Sequence, residues 1–124
     1  MQKKRPVNLN LFTIRFPITA ISSILHRASG VILFLFIITL LWALNLSLKS
    51  QENFTALQAT LTQGGWRFLI WIFLSSLAFH VIAGIRHLLM DIGWGEGKAS
   101  GRLSAYLVMI FSVIVVVALG VRLW

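Results

Sequence analysis

FLIWIFLSSLAFHVIAGI, residues 68–85, is the stretch that decides the fold, because it holds no charged residue and lies between Arg67 and Arg86. At about 1.5 Å of rise per residue, an α-helix of this length comes close to crossing a hydrocarbon core of about 30 Å. Two further uncharged segments, residues 28–48 and 103–121, have a similar length. The sequence therefore predicts an all-α integral membrane protein with three transmembrane helices.

The predicted spans take up most of the chain. Of its 124 residues, 58% are hydrophobic and only 11% are charged, so the connections are too short for a soluble catalytic domain. We expect one transmembrane domain over residues 1–124, with spans at about 22–48, 66–90 and 103–123. The connection after the first span has apolar residues at helical spacing, which predicts a short interfacial helix from near Asn53 to before Gly64.

The basic residues are distributed unevenly around the spans. One side has eight: Lys3, Lys4, Arg5, Arg15, Arg27, Arg86, Lys98 and Arg102. The other side has three: Lys49, Arg67 and Arg122. Because loops rich in lysine and arginine stay in the cytoplasm, we predict a cytoplasmic N-terminus and a C-terminus outside. The net charge of +8 is thus a topology signal, and its dispersal around a lipid bilayer argues against nucleic acid as a partner.

Two residue types restrict the function classes further. The chain has no cysteine, so it cannot hold an iron–sulfur cluster in the usual way, and redox chemistry would need haem, flavin or quinone. A small multidrug or proton-coupled transporter needs a carboxylate inside the membrane. The acidic residues Glu52, Asp91 and Glu96 all fall in loops or at span ends, which counts against transport.

The second predicted span contains one ionisable residue, His80, followed one helical turn later by Gly84. An unpaired imidazole is costly inside a membrane and is retained where it has a partner. Gly84 lies on the same helix face and would let a flat ligand approach the backbone. Both are candidate cofactor-binding residues. The alternative is a structural histidine that is hydrogen-bonded to Ser76 or to a neighbouring helix.

A second polar group lies at the start of the first span, in SILHRASG, residues 23–30. Ser23 and Arg27 are four residues apart and share a helix face, while His26 lies on the neighbouring face. Guanidinium and hydroxyl donors suit the carbonyl oxygens of a quinone or the carboxylates of a haem. The alternative for Arg27 is an interaction with phospholipid headgroups at the end of the span.

The two polar groups enter the membrane from the same side. His80 lies about 10 Å of helix from His87 at the cytoplasmic end and about 20 Å from Arg67 at the other. A cofactor on His80 could therefore direct its polar edge towards Arg27 or His26. A haem with two histidine ligands needs a second imidazole at the depth of His80, and His26 and His87 both lie near the interface. We therefore predict that the second ligand comes from another subunit.

Three segments resemble the signatures of the cytochrome b subunit of succinate dehydrogenase, respiratory complex II. They are Arg5-Pro6, the pattern S-x-x-H-R-x-[ST]-G at residues 23–30, and the pattern H-x-x-x-G-x-R-H-[LM]-x-x-D at residues 80–91. Length, number of spans and predicted topology also agree with that family. The resemblance covers essentially the whole chain.

The resemblance implies a membrane anchor in the bacterial inner membrane that shares one b-type haem with a second small anchor subunit. A flavoprotein and an iron–sulfur subunit would dock on its cytoplasmic side and carry the FAD and the iron–sulfur clusters. Electrons would pass from the iron–sulfur subunit to ubiquinone, so this chain would be a non-flavin subunit of succinate:quinone oxidoreductase without a complete active site of its own. The alternatives are a haem-free structural anchor and the anchor of a quinol:fumarate reductase.

The resemblance also implies roles for individual residues. His80 would be the axial ligand of the haem iron. Ser23, Ile24 and Arg27 would line the quinone site, with Ile24 in contact with the ring. His26 and Arg27 would lie near the haem propionates.

Overall fold

The computed structural model describes residues 13–124. The charged residues Lys3 to Arg5 and the Arg5-Pro6 pair lie outside the described residues. Within residues 13–124 the chain forms four α-helices and no strands: α1 (Ile18–Lys49), α2 (Gln51–Leu61), α3 (Gly64–Asp91) and α4 (Lys98–Leu123). By length and composition, α1, α3 and α4 can each cross a membrane. The predicted all-α class with three long apolar helices is confirmed.

The three long helices extend beyond the apolar segments that predicted them. The helix α1 begins at Ile18, directly after Pro17, whose backbone is extended and whose carbonyl accepts hydrogen bonds from the amides of Ala20 and Ile21. Proline has no N–H and is found where helices start. The helix α4 begins at Lys98, ahead of the apolar segment that starts at Leu103. Backbone hydrogen bonding does not require apolar side chains, so a helix continues through its polar ends.

The connection between the first two long helices contains the predicted short helix, α2. Its first turn is capped by Ser50, whose hydroxyl accepts a hydrogen bond of 3.1 Å from the amide of Asn53. Serine is a favoured N-cap because it satisfies one of the free amides of the first turn. The helix therefore begins at Gln51, two residues before the expected start. Leu57 is its buried residue.

The helix α3 is central and contacts α1, α2 and α4. Small side chains fill the closest contacts, including Ala83 on α3 and Ala105 on α4, both of which are almost completely buried. Small residues let membrane helices approach closely, which is how such helices gain packing energy. Most large apolar side chains face outward, as expected for surfaces that meet lipid or other membrane helices.

Side-chain hydrogen bonds to backbone carbonyls connect α3 and α4 near both ends of their interface. The guanidinium of Arg86 donates to the hydroxyl of Ser104 at 2.9 Å and to the carbonyl of Gly101 at 3.1 Å. At the other end, the indole N–H of Trp71 donates to the carbonyl of Val116 at 3.0 Å. Arg86, which the sequence suggested only as a topology charge, is 6% exposed. It joins two helices.

Candidate functional site

Three histidines form one cluster between α1 and α3, which we call the histidine cluster: His26, His80 and His87. The ring of His26 stacks on the ring of His80, with centroids 4.2 Å apart and planes 26° apart. The ring of His26 also lies 5.0 Å from that of His87, at a tilt of 37°. Residues seven apart on a helix share a face, so His26 reaches both imidazoles of α3. The two polar groups found in the sequence are therefore neighbours.

His26 lies closer to His80 than the sequence suggested. The sequence predicts His26 near the interface and not at the depth of His80, whereas the two rings are in stacking contact. Rings in such contact leave no room for a porphyrin between them, so His26 and His80 cannot be opposite ligands of one haem in this arrangement. The expectation that a second ligand comes from another subunit is untouched by this correction.

The nitrogen Nδ1 of His80 has two oxygen neighbours on α1. It lies 3.0 Å from the hydroxyl of Ser29 and 3.2 Å from the carbonyl of His26. The Ser29 hydroxyl in turn donates to the same carbonyl at 2.7 Å. Among the residues that the structure describes, Ser29 and not Ser76 is thus the serine bonded to His80. The neighbouring helix supplies this partner, as one of the alternatives had it.

The other ring nitrogen of His80 has a different environment. Within residues 13–124, Nε2 of His80 makes no hydrogen bond, since the bonds of this ring are all at Nδ1. The nitrogen Nε2 of His26 is also without a partner in this part of the chain, and it is fully buried. A buried polar atom without a hydrogen-bond partner is uncommon and unfavourable, so this nitrogen is available to a further group.

Two glycines make room for the imidazoles of the cluster. A Cβ atom at Gly30 would lie 3.2 Å from Cε1 of His80, and one at Gly84 would lie 3.5 Å from Nε2 of His26. Each glycine therefore accepts the histidine of the opposite helix. The sequence suggested that Gly84 is small so that a flat ligand can approach; in the structure the group beside it is the His26 ring.

The histidines do not hold a metal ion by themselves. The described residues contain no group of three or more histidine, cysteine or acidic side chains that converges on one point. A metal at this site would need ligands from a cofactor or from a partner in addition to one imidazole.

Ser23, Ile24 and Arg27, the candidate quinone-site residues, lie on an open face of α1. A guanidinium nitrogen of Arg27 is 3.5 Å from the Ser23 hydroxyl, which is a long and weak hydrogen bond. Arg27 is exposed and Ile24 is 50% exposed. The three side chains lie close together, but this exposed face does not by itself form an enclosed binding site.

Sequence reasoning did not single out Ser29, Gly30 or Arg86 for a role. A signal for Ser29 was available, because it follows His26 by three residues and so lies on the same face of α1. The contact of Gly30 with His80 depends on the pairing of α1 with α3, which periodicity alone does not give.

The chain is similar to known membrane subunits over most of its length. The model of the family described as succinate dehydrogenase/fumarate reductase transmembrane subunit matches residues 1–119, which include both polar groups. A succinate dehydrogenase cytochrome b556 subunit from Coxiella burnetii is 46% identical over 125 residues, covering 100% of both chains. The subunit of that name from Rickettsia prowazekii is 32% identical over 118 residues, covering 95% of this chain and 92% of the relative. One from Paracoccus denitrificans is 30% identical over 91 residues, or 73% and 70% of the two chains.

Proposed function

Because the chain belongs to the family of succinate dehydrogenase and fumarate reductase transmembrane subunits, we propose that it binds a b-type haem and helps to form a quinone-reduction site. The named relatives are subunits of succinate dehydrogenase, an enzyme complex, and the chain is a multi-pass membrane subunit of that kind. In our proposal its complex oxidises succinate and reduces ubiquinone. The relatives' names favour this direction over fumarate reduction.

The observation that carries the haem proposal is the state of the two nitrogens of His80. One, Nδ1, is held by α1, while the other, Nε2, has no partner in the part of the chain that the structure describes. A histidine that ligates a metal commonly has this division, with one nitrogen bonded to an oxygen and the other free for the metal. His80 is therefore the proposed axial ligand. When bound, haem supplies one-electron redox chemistry.

The surroundings of His80 also fit a haem. The buried and unpartnered Nε2 of His26 can donate to a propionate, and Arg27, one residue later on α1, offers a planar set of donors for the same kind of group. Gly30 and Gly84 make room for the rings of His80 and His26 beside the backbone of the opposite helix. These residues would hold the polar edge of the cofactor, and Gly84 would lie close to it.

The second axial ligand is proposed to come from another small membrane-anchor subunit. His26 is stacked on His80 and His87 is next to His26, so neither ring can face His80 across a porphyrin without leaving its place. Other histidines do not occur in the sequence. The large outward-facing apolar side chains of the three long helices give such a subunit a surface to pack on.

Ser23, Ile24 and Arg27 are proposed to line the quinone site. The Ser23 hydroxyl would donate to a quinone carbonyl, and the guanidinium of Arg27 would stabilise the negative charge that develops on the oxygen as electrons arrive. Ile24 would provide an apolar surface for the ring. The exposure of Ile24 and Arg27 is consistent with a site whose remaining walls come from partner subunits.

The partners follow from the proposed reaction. A flavoprotein subunit would carry FAD, and an iron–sulfur subunit would carry the clusters that this cysteine-free chain cannot hold. Both would dock on the cytoplasmic side of a bacterial inner membrane. The distribution of basic residues supports a cytoplasmic N-terminus and a cytoplasmic loop between α3 and α4, with the C-terminus outside.

The test of the haem proposal is His80→Ala in the purified complete complex. We expect the haem content, measured as the pyridine haemochrome, to fall to background, while succinate oxidation with an acceptor that serves the soluble subunits continues. His87→Ala is the matched control, because it removes an imidazole from the same face of α3 and should leave the haem in place. A His80→Ala complex with the native low-spin spectrum would overturn the proposal.

A further inference from the structure

We propose that Ser29 is a positioning residue that, together with the carbonyl of His26, fixes the tautomer and orientation of the His80 imidazole, so that its Nε2 lone pair is available to haem iron. This inference rests on the proposed role of His80 as the axial ligand. It adds a residue of the same chain that acts on the cofactor through His80 and does not touch the iron.

The hydrogen-bond partners of Nδ1 of His80 determine which ring nitrogen carries the hydrogen. The Ser29 hydroxyl has one hydrogen, which it donates to the carbonyl of His26 at 2.7 Å. The Ser29 oxygen can then only accept from Nδ1, which lies 3.0 Å away. The second oxygen near Nδ1, the His26 carbonyl at 3.2 Å, is an acceptor in any state. The hydrogen of the neutral imidazole must therefore be on Nδ1, and the lone pair must be on Nε2.

The opposite assignment conflicts with the same contacts. If Ser29 donated to a lone pair on Nδ1, that lone pair would also face the carbonyl oxygen of His26 at 3.2 Å, and the short bond from Ser29 to this carbonyl would be lost. The hydrogen would then be on Nε2, which could no longer ligate a metal. The Ser29 oxygen and the His26 carbonyl thus both favour the ligating tautomer, and Ser29 supplies the shorter of the two contacts to Nδ1.

The position of Ser29 makes this control effective. The residue is only 5% exposed, so water has little access to compete for the Nδ1 hydrogen. The His80 ring is also confined from two sides, by the stacked ring of His26 and by the Cα of Gly30, where an added Cβ would come within 3.2 Å of Cε1. The ring can therefore not rotate freely to exchange its two nitrogens.

A hydrogen bond from Nδ1–H to oxygen increases the basicity of the ligating nitrogen. A more basic ligand stabilises the oxidised iron more than the reduced iron. Loss of the Ser29 hydroxyl leaves only the longer contact of Nδ1 with the His26 carbonyl, so it should raise the midpoint potential of the haem and weaken haem binding. Loss of a hydrogen bond to a metal-ligating histidine typically lowers the affinity for the metal by about 10- to 100-fold.

The experiment compares Ser29→Ala, Ser29→Thr and Ser22→Ala in the purified complete complex. The readouts are haem content after detergent washing, the midpoint potential from a redox titration, and the electron paramagnetic resonance signature of the oxidised haem. Ser22 is the matched control, because it is a fully buried serine on the same helix whose hydroxyl has no partner within residues 13–124. Threonine keeps the hydroxyl, which can still donate to the carbonyl three residues before it.

We expect Ser29→Ala to weaken haem retention by about 10-fold or more and to raise the midpoint potential, with a tenfold difference between the two redox states corresponding to about 59 mV. Ser29→Thr and Ser22→Ala should stay near the wild-type values. An unchanged potential and unchanged resonance signature in Ser29→Ala would overturn the inference, and so would equal shifts in Ser22→Ala, which would indicate packing alone.

Two further measurements keep the outcomes separable. If Ser29→Ala does not assemble, Ser29→Cys retains much of the volume with a much weaker donor, and it should shift the potential in the same direction. If His80→Ala keeps its haem, the proposed function fails. If His80→Ala loses its haem while Ser29→Ala is indistinguishable from the wild type, only the role of Ser29 fails.

Discussion

The two interfaces of α3 differ in how they satisfy their polar groups. Against α4, the guanidinium of Arg86 and the indole of Trp71 each donate to a backbone carbonyl of the opposite helix. Against α1, the contacts near the predicted cytoplasmic end are imidazole rings, and the buried Nε2 of His26 has no partner in residues 13–124. Both interfaces contain hydrogen bonds between helices, since Ser29 on α1 is bonded to His80 on α3. They differ in the buried atom left without a partner in residues 13–124, which is an imidazole nitrogen on α1 and the hydroxyl of Ser112 on α4.

This difference suggests how a small membrane chain can be both a scaffold and a binding surface. In a membrane, a polar side chain is retained when it has a partner, and water is absent as a substitute. The buried Nε2 of His26 is therefore the atom of the α1–α3 interface that is available to bond a further group. We expect the α3–α4 interface to contribute mainly to stability and the α1–α3 interface to contribute also to binding.

The largest expected effect comes from the same substitution made in both interfaces. Gly84→Leu should displace the ring of His26. A Cβ at residue 84 would already lie 3.5 Å from Nε2 of His26, so the further leucine carbons would overlap the ring. Overpacking of this kind usually costs about 1–3 kcal/mol. We expect most of the haem to be lost from the complex, as measured by the pyridine haemochrome.

Gly120→Leu is the counterpart in the α3–α4 interface. A Cβ at Gly120 would lie 3.3 Å from the indole nitrogen of Trp71, so leucine should break the bond to Val116 and lower the melting temperature. The haem content should stay near wild type. Gly84→Ala, whose added carbon would make an ordinary contact, should also retain haem. Equal haem loss in Gly84→Leu and Gly120→Leu would mean that the two interfaces do not differ in the way proposed.

Substitutions on the open face of α1 should have a smaller effect. We expect them to slow quinone reduction and to leave the fold intact. Removing a neutral hydroxyl donor usually costs about 0.5–1.5 kcal/mol and removing a charged one about 1.5–3 kcal/mol. Ser23→Ala should therefore slow quinone reduction by about one order of magnitude and Arg27→Leu by more. The measurement is succinate:quinone reductase activity of the purified complex.

Arg27→Lys separates the two interpretations of this arginine. Lysine keeps the charge but lacks the planar donors, so it should be nearly silent if Arg27 only meets phospholipid headgroups and impaired if Arg27 donates to a quinone or a propionate. Succinate oxidation with an artificial acceptor serves as the control for an intact complex. Wild-type quinone reduction in both Ser23→Ala and Arg27→Leu would place the quinone site elsewhere.

The three long helices could be predicted from sequence because the membrane permits few alternatives. An uncharged apolar stretch of the length of residues 68–85 must satisfy its backbone internally, and a helix does this within one segment. The ends were less predictable, since Ser50 and Pro17 determine where α2 and α1 begin through local capping and not through hydropathy. The confirmed fold thus follows from composition, and its boundaries follow from single residues.

The candidate site was predictable in its residue types but not in its contacts. His80, His26 and Gly84 were evident as unusual residues in apolar helices or at their ends. That Gly84 accepts His26, and that Ser29 and not Ser76 is bonded to His80, depends on the rotation and register of α1 against α3. A hydrogen bond from His80 to either serine is plausible from sequence. Only the packing of α1 against α3 determines that Ser29 is the partner.

The smallest effect on function is expected from substitution of Arg86, the charged residue buried between α3 and α4. In the sequence it counts as one basic residue beside a loop, but the structure gives it two neutral acceptors on α4. A buried guanidinium that is hydrogen-bonded in this way connects the end of α3 to the start of α4, and we expect it to have no part in electron transfer. Arg86→Ala should then destabilise the complex by about 1–3 kcal/mol.

The distinguishing measurement for Arg86→Ala is a thermal melt of the complex combined with its haem spectrum. Arg102→Ala is the matched control, because it removes the same charge from an exposed position in the same part of the chain. We expect a lower melting temperature only in Arg86→Ala, since only this arginine loses hydrogen bonds between helices, and an unchanged haem spectrum in both. A shifted haem spectrum in Arg86→Ala at full stability would mean that Arg86 acts on the cofactor, and the division between a structural and a binding interface of α3 would have to be abandoned.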